Sequence, residues 1–132
     1  GRRQAAVARA ARPTAVAKAL AWADIVDRHD LPNALMNATI GGFVQPDQVD
    51  LLRPYRATYF EVLPRVWRER TMEMAQDITM SLYPAYLVDE ETLAQTDAFL
   101  AAPDLAAPLR RLLGEGRDGV VRAMRARTRD IT

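Results

Sequence analysis

Side chains that could hold a metal ion or act as a nucleophile are scarce in this sequence of 132 residues. His29 is the one histidine, and there is no cysteine. A catalytic zinc site needs three protein ligands in reach of one another, and a single histidine offers no such set. Paired histidines at helical spacing, a nucleophile elbow and a glycine-rich phosphate loop are also missing. We therefore expect no catalytic residue and no metal ligand in this chain, which should be inactive by itself.

The charge balance excludes some partners. The formal net charge is +1, which gives no strong attraction to nucleic acid or to a membrane surface. No run approaches the 18 apolar residues that suggest a membrane helix. Absence of cysteine fits a reducing compartment, and we expect the cytoplasm. Of the 18 basic residues only Lys18 is lysine, a ratio that we interpret as codon bias of a GC-rich bacterial genome.

The apolar residues recur at helical spacing along the whole chain, and no segment alternates with the period of a strand. The widest pattern lies between Pro54 and Pro84, which we predict to be a helical hairpin that turns between Arg68 and Met72. Two apolar series in its first arm indicate a helix buried on most of its circumference. The residues of these series are Tyr55, Tyr59, Val62 and Val66, and Phe60, Leu63 and Trp67.

Three further features of the helices are predicted. An apolar stripe that includes Val16, Leu20, Trp22 and Val26 should face the core in the second helix. Gly41-Gly42 should end the third helix, with one glycine in the left-handed conformation. The last helical segment should break near Gly114 to Gly116, since glycine costs about 1 kcal/mol inside a helix.

Together these patterns predict an all-α fold of about eight short helices. Residues 1–132 should form a single helical domain, since this length suits one hydrophobic core. Successive helices would pair as antiparallel hairpins in an irregular stack, which is the layout of an α-solenoid or a HEAT-like bowl.

Several short strings, in their order and spacing, are similar to the extreme C-terminal helical domain of aminopeptidase N, a zinc metallopeptidase family. The likeness is closest to the actinobacterial type and covers nearly the whole chain. The strings are Leu31-Pro32-Asn33, Ile40-Gly41-Gly42-Phe43, Gln45-Pro46-Asp47-Gln48, Leu51-Leu52-Arg53-Pro54-Tyr55, Tyr59-Phe60, Val66-Trp67-Arg68-Glu69-Arg70, Thr92-Leu93-Ala94-Gln95-Thr96-Asp97 and Leu109-Arg110-Arg111-Leu112-Leu113-Gly114-Glu115-Gly116-Arg117-Asp118.

The resemblance implies that the chain is a C-terminal fragment of a larger aminopeptidase, which removes N-terminal residues from peptides. The family's catalytic domain lies upstream and carries a His-Glu-x-x-His zinc motif and a Gly-x-Met-x-Asn motif. Neither motif is present here, so zinc would belong to the full-length enzyme. The implied role is non-catalytic: the domain caps the active-site chamber and limits substrate access. Its implied partners are the upstream catalytic domain and the peptide substrate.

If the chain caps such a chamber, some polar side chains must face it, and Arg68 and Arg70 are our candidates. They lie at the turn of the central hairpin, off both apolar series, and a guanidinium can pair with a peptide carboxylate. The competing interpretation is a local ion pair of Arg70 with Glu73. An ion pair of this kind at a surface contributes little to the free energy of folding.

Two other functions remain open from the sequence. The chain could be a free-standing helical scaffold for protein–protein interaction, since periodicity alone does not separate scaffold from fragment. It could also bind RNA or DNA through the arginines of its last helix. The net charge argues against nucleic acid, because domains that bind it are usually basic overall.

Overall fold

The computed structural model describes residues 1–131, and every regular element in that range is helical, which confirms the all-α prediction. The described residues form eight α-helices and one short 3₁₀ turn at Pro46–Gln48. The helices are α1 (Arg2–Ala10), α2 (Ala15–Val26), α3 (Asn33–Phe43), α4 (Val49–Leu52), α5 (Tyr55–Glu69), α6 (Met72–Leu82), α7 (Glu90–Leu100) and α8 (Ala107–Ile131).

The chain divides into two compact units. The first unit comprises Gly1–Pro54 and contains α1 to α4, and the second begins at Tyr55 and contains α5 to α8. The single domain over 1–132 and the bowl-like stack of hairpins stay predictions. No helix within residues 1–131 is both long enough and apolar enough to cross a bilayer.

In the first unit, α3 packs against both α1 and α2, and its closest partner is α1. A Cβ atom added to Gly42 would lie 2.8 Å from the Cβ of Ala10, so the missing side chain is what lets the two backbones approach. The prediction that Gly41-Gly42 ends the third helix was wrong, because α3 continues to Phe43 and neither glycine has a positive φ. The glycine pair serves helix–helix packing and not a helix stop.

The buried face of α2 differs from the predicted one. Trp22 and Val26 are buried as predicted, and the Trp22 ring lies 5.6 Å from that of Phe43. Val16 and Leu20, however, are 70% and 65% exposed. The prediction for these two residues was wrong because the buried face of α2 runs through Ala17, Ala21 and Ile25 instead.

The central hairpin of the second unit is confirmed. Helix α5 ends at Glu69 and α6 begins at Met72, so the turn lies where it was predicted. Tyr59, Phe60 and Leu63 are buried, but Trp67 is only partly buried. The indole Nε1 of Trp67 donates a hydrogen bond of 2.9 Å to Oγ1 of Thr79 on α6. Because Thr79 is buried, this bond ties the indole of α5 to the interior of α6.

Helix α8 is one unbroken helix of 25 residues, so the predicted break near Gly114 to Gly116 was wrong. A Cβ atom on Gly116 would lie 2.8 Å from a ring carbon of Tyr83. Gly116 thus makes room for a buried tyrosine, and burial of Leu112 and Leu113 on the same helix offsets its poor helix propensity.

Candidate functional site

The residues present do not fit a zinc ion. In the part of the chain that the structure describes, no three His, Cys, Asp or Glu side chains come together as a metal site would require. His29 is exposed just beyond the end of α2. A catalytic zinc ion needs three protein ligands in one place, and residues 1–131 do not bring such a set together.

The two candidate residues lie at the end of α5 and in the link that follows it. Arg68 is exposed in the last turn of α5, and Arg70 is half-buried in the short link to α6. The backbone N–H of Arg70 donates to the carbonyl of Val66 at 2.9 Å. Thr71 then caps α6, because its Oγ1 accepts a hydrogen bond of 3.2 Å from the backbone N–H of Met74. The turn is therefore held firmly at both sides, and the contact of the two arginines with a peptide stays a prediction.

Lys18, the one lysine of the sequence and a residue for which no role was predicted, is fully buried in the first unit. Its Nζ donates to three backbone carbonyls: Ala10 at 2.8 Å, Phe43 at 3.1 Å and Gly42 at 3.3 Å. A protonated amine has three donors, so the whole group is used by these contacts. Burial lowers the pKa of Lys18, and the carboxylate of Asp47 partly opposes that shift. With no donor to spare, Lys18 is a structural cation and not a nucleophile.

A second buried cation lies in the second unit. The Nη1 atom of Arg56 donates to both carboxylate oxygens of Asp89, at 2.8 and 3.0 Å, and to Oγ1 of Thr92 at 3.1 Å. Burial raises the pKa of Tyr86 to about 12, although the charge of Arg56 opposes the shift. Asp89 caps α7 by accepting from the backbone N–H of Thr92 at 2.9 Å. This cluster ties the start of α7 to α5, and its two charged groups, Arg56 and Asp89, are paired with each other.

The first unit contains a pocket that was not predicted from the sequence. It has a volume of about 340 Å³ and lies between α1 and α2, with Arg9 and Arg12 among the residues that line it. Alanines of both helices face it, which leaves a space where larger side chains would have met. The alanines that recur at helical spacing in α1 and α2 could have indicated this pocket. They do so only when it is known that the two helices lie side by side.

The comparisons with known proteins agree with the resemblance seen in the sequence. The family model described as ERAP1-like C-terminal domain matches residues 1–122. Aminopeptidase N of Streptomyces lividans is 53% identical over 130 residues, which cover 98% of this chain. The chain spans 15% of the length of that relative. The predicted likeness to the C-terminal domain of aminopeptidase N is thereby confirmed.

Proposed function

Since the chain belongs to the ERAP1-like C-terminal domain family, we propose that it is the non-catalytic C-terminal domain of a zinc-dependent aminopeptidase that removes N-terminal residues from peptides. The observation that carries this proposal is the 53% identity to an aminopeptidase N across 98% of the chain. The match to the family model, over residues 1–122, includes the whole first unit and most of the second. The reaction belongs to the longer polypeptide, whose upstream catalytic domain holds the zinc ion.

The role of the domain is to cap the active-site chamber of that polypeptide and to limit which peptides enter. The chain itself contributes helical surface and not reacting groups, which suits a cap: the buried Lys18 and the mostly buried Arg56 both make structural contacts. Its partners are the catalytic domain of the same polypeptide and the peptide substrate. The enzyme works in the cytoplasm, an assignment supported by a sequence without cysteine.

Arg68 and Arg70 present positive charge from the turn of the α5–α6 hairpin toward the chamber. Arg68 is the stronger candidate because its side chain is exposed in the last turn of a well-packed helix. A guanidinium in that place would pair with the carboxylate of a bound peptide through two parallel hydrogen bonds. Such a contact would favour peptides whose carboxylate reaches the hairpin.

Kinetics of the whole polypeptide test this role. Arg68→Ala and Arg70→Ala would be compared with Arg125→Ala, an exposed position on α8, on a dipeptide amide, a tetrapeptide and a decapeptide. We expect the first two variants to lower kcat/KM by about tenfold or more only for substrates whose free carboxylate reaches the arginines. Equal kcat/KM values of all three variants on all three substrates would show that neither Arg68 nor Arg70 contacts the peptide.

A further inference from the structure

The pocket between α1 and α2 has the size and lining of a side-chain binding site. Its volume of about 340 Å³ falls at the lower end of the range for ligand pockets. The floor consists of buried alanines, Ala6 and Ala10 from α1 and Ala17 and Ala21 from α2. Their methyl groups form an apolar surface that suits an aliphatic side chain, and the buried Thr39 of α3 also lines the pocket.

Two exposed aliphatic residues extend this apolar surface. Val16 and Leu20 line the pocket one helical turn apart on α2 and are 70% and 65% exposed. Large aliphatic side chains placed together beside a pocket are typical of a contact surface. Aromatic residues are absent from the described lining, so the pocket offers no platform on which a nucleic-acid base could stack.

The lining of the pocket carries two guanidinium groups, of Arg9 and Arg12, and a single carboxylate, of Asp24. Arg9 and Arg12 line it and are exposed, and their side chains make no hydrogen bond or ion pair with any of residues 1–131. The carboxylate of Asp24, which also lines the pocket, lies 3.6 Å from the guanidinium of Arg28. Two guanidiniums at an apolar pocket therefore fit a partner that carries carboxylates beside an aliphatic group.

We propose that this pocket binds an acidic peptide segment whose aliphatic side chain enters between α1 and α2 while flanking carboxylates pair with Arg9 and Arg12. The apolar floor selects the aliphatic residue, and the two guanidiniums select the charge on either side of it. This surface lies wholly within the first unit, and the proposal does not rest on the aminopeptidase assignment.

Binding of labelled peptides to the whole polypeptide tests the chemistry of the ligand. The probe is fluorescein-labelled Ser-Glu-Leu-Glu-Ser, followed by fluorescence anisotropy at low ionic strength. Two control peptides replace both Glu residues by Gln, or the Leu by Ser. We expect each control peptide to bind at least about tenfold more weakly, because each loses either the charge-assisted hydrogen bonds or the buried aliphatic group.

Matched variants test the location. The double variant Arg9→Gln/Arg12→Gln should weaken binding of the acidic peptide at least about tenfold. The control Arg2→Gln/Arg3→Gln removes the same charge from the first turn of α1, outside the pocket lining, and should change binding less than about twofold. Leu20→Ala should weaken binding with little effect on folding, since the side chain is exposed.

Several results would overturn the proposal. Failure of the acidic peptide to bind would do so, as would equal losses in the two arginine double variants, which would indicate diffuse attraction. Binding to phosphatidylglycerol vesicles that depends on Arg9 and Arg12, without binding of the peptide, would assign the surface to a membrane. A dimer that Leu20→Ala dissociates, again without peptide binding, would assign it to a second copy of the chain.

Discussion

The side-chain nitrogen of Lys18 lies 2.8 Å from the carbonyl oxygen of Ala10, the last residue of α1. The same nitrogen also bonds the last two carbonyls of α3. Carbonyls at the end of a helix lack intrahelical partners and carry partial negative charge. One buried cation on α2 thus closes the C-terminal ends of two other helices, and it holds the first unit together from inside.

Removal of this cation should destabilise the protein. Lys18→Met leaves three buried carbonyls without a donor, so we expect a loss of at least about 2 kcal/mol in the free energy of unfolding, measured by urea denaturation. Lys18→Arg should also destabilise, because a planar guanidinium cannot replace a compact ammonium at three converging carbonyls. Arg12→Met, at an exposed position of the same unit, should change stability by less than about 0.5 kcal/mol. A Lys18→Met variant as stable as this control would contradict the structural role.

The ion pair of Asp89 with Arg56 should make stability depend on pH. Burial raises the pKa of Asp89, but hydrogen bonds from the Thr92 backbone and from Arg56 outweigh it, and the net pKa lies below the ordinary 3.8. A carboxyl whose pKa is lowered by folding stabilises the protein above its unfolded pKa, and the contribution disappears as the pH falls through the folded pKa.

Asp89→Asn retains a good helix cap but removes the charge. Its free energy of unfolding should fall below that of the unmodified protein at pH 7, and the gap should close as the pH drops below 3.8. Denaturation at a series of pH values measures this gap. Asp104→Asn, at an exposed position, is the control and should show none; a gap for Asp89→Asn that is constant down to pH 2 would disprove the linkage.

The two neighbouring glycines of α3 should respond oppositely to the same substitution. Gly42→Ala forces a Cβ atom against the backbone of Val7 and the side chain of Ala10, and overpacking of this kind costs about 1–3 kcal/mol. Gly41→Ala meets nothing within 4 Å and should stabilise by up to about 1 kcal/mol, since alanine is the better helix former. Thermal denaturation of the two variants measures both effects; equal shifts in Tm would mean that α1 and α3 are not in such close contact.

The sequence was most informative where a long apolar series required burial. The two apolar series that contain Tyr59 and Phe60 predicted the position of α5, of the turn and of the start of α6. Only a helix brings the residues of these series to one side. Glycine was ambiguous for a physical reason: a helix stop and a close helix contact use the same residue, and only the neighbouring helix decides between them. Gly42 and Gly116 both lie at close contacts, Gly42 with α1 and Gly116 with the ring of Tyr83.

The candidate site divides in the same way. The position of Arg68 at the end of a helix follows from the apolar series, so the sequence alone located it. The contacts of Lys18 depend on carbonyls 8 to 25 residues away, and no local pattern predicts such partners. The proposed codon bias toward arginine says nothing about why a lysine stands at this position, where its amine reaches three backbone carbonyls.

One activity measurement decides whether this chain is the non-catalytic domain of an aminopeptidase. Turnover of a leucyl reporter substrate would be measured in the presence of zinc for the whole polypeptide and for residues 1–132 alone, with circular dichroism to verify that the short chain is helical. We expect turnover by the whole polypeptide and none by the folded short chain. Turnover by residues 1–132 alone, or no turnover by the whole polypeptide, would contradict it.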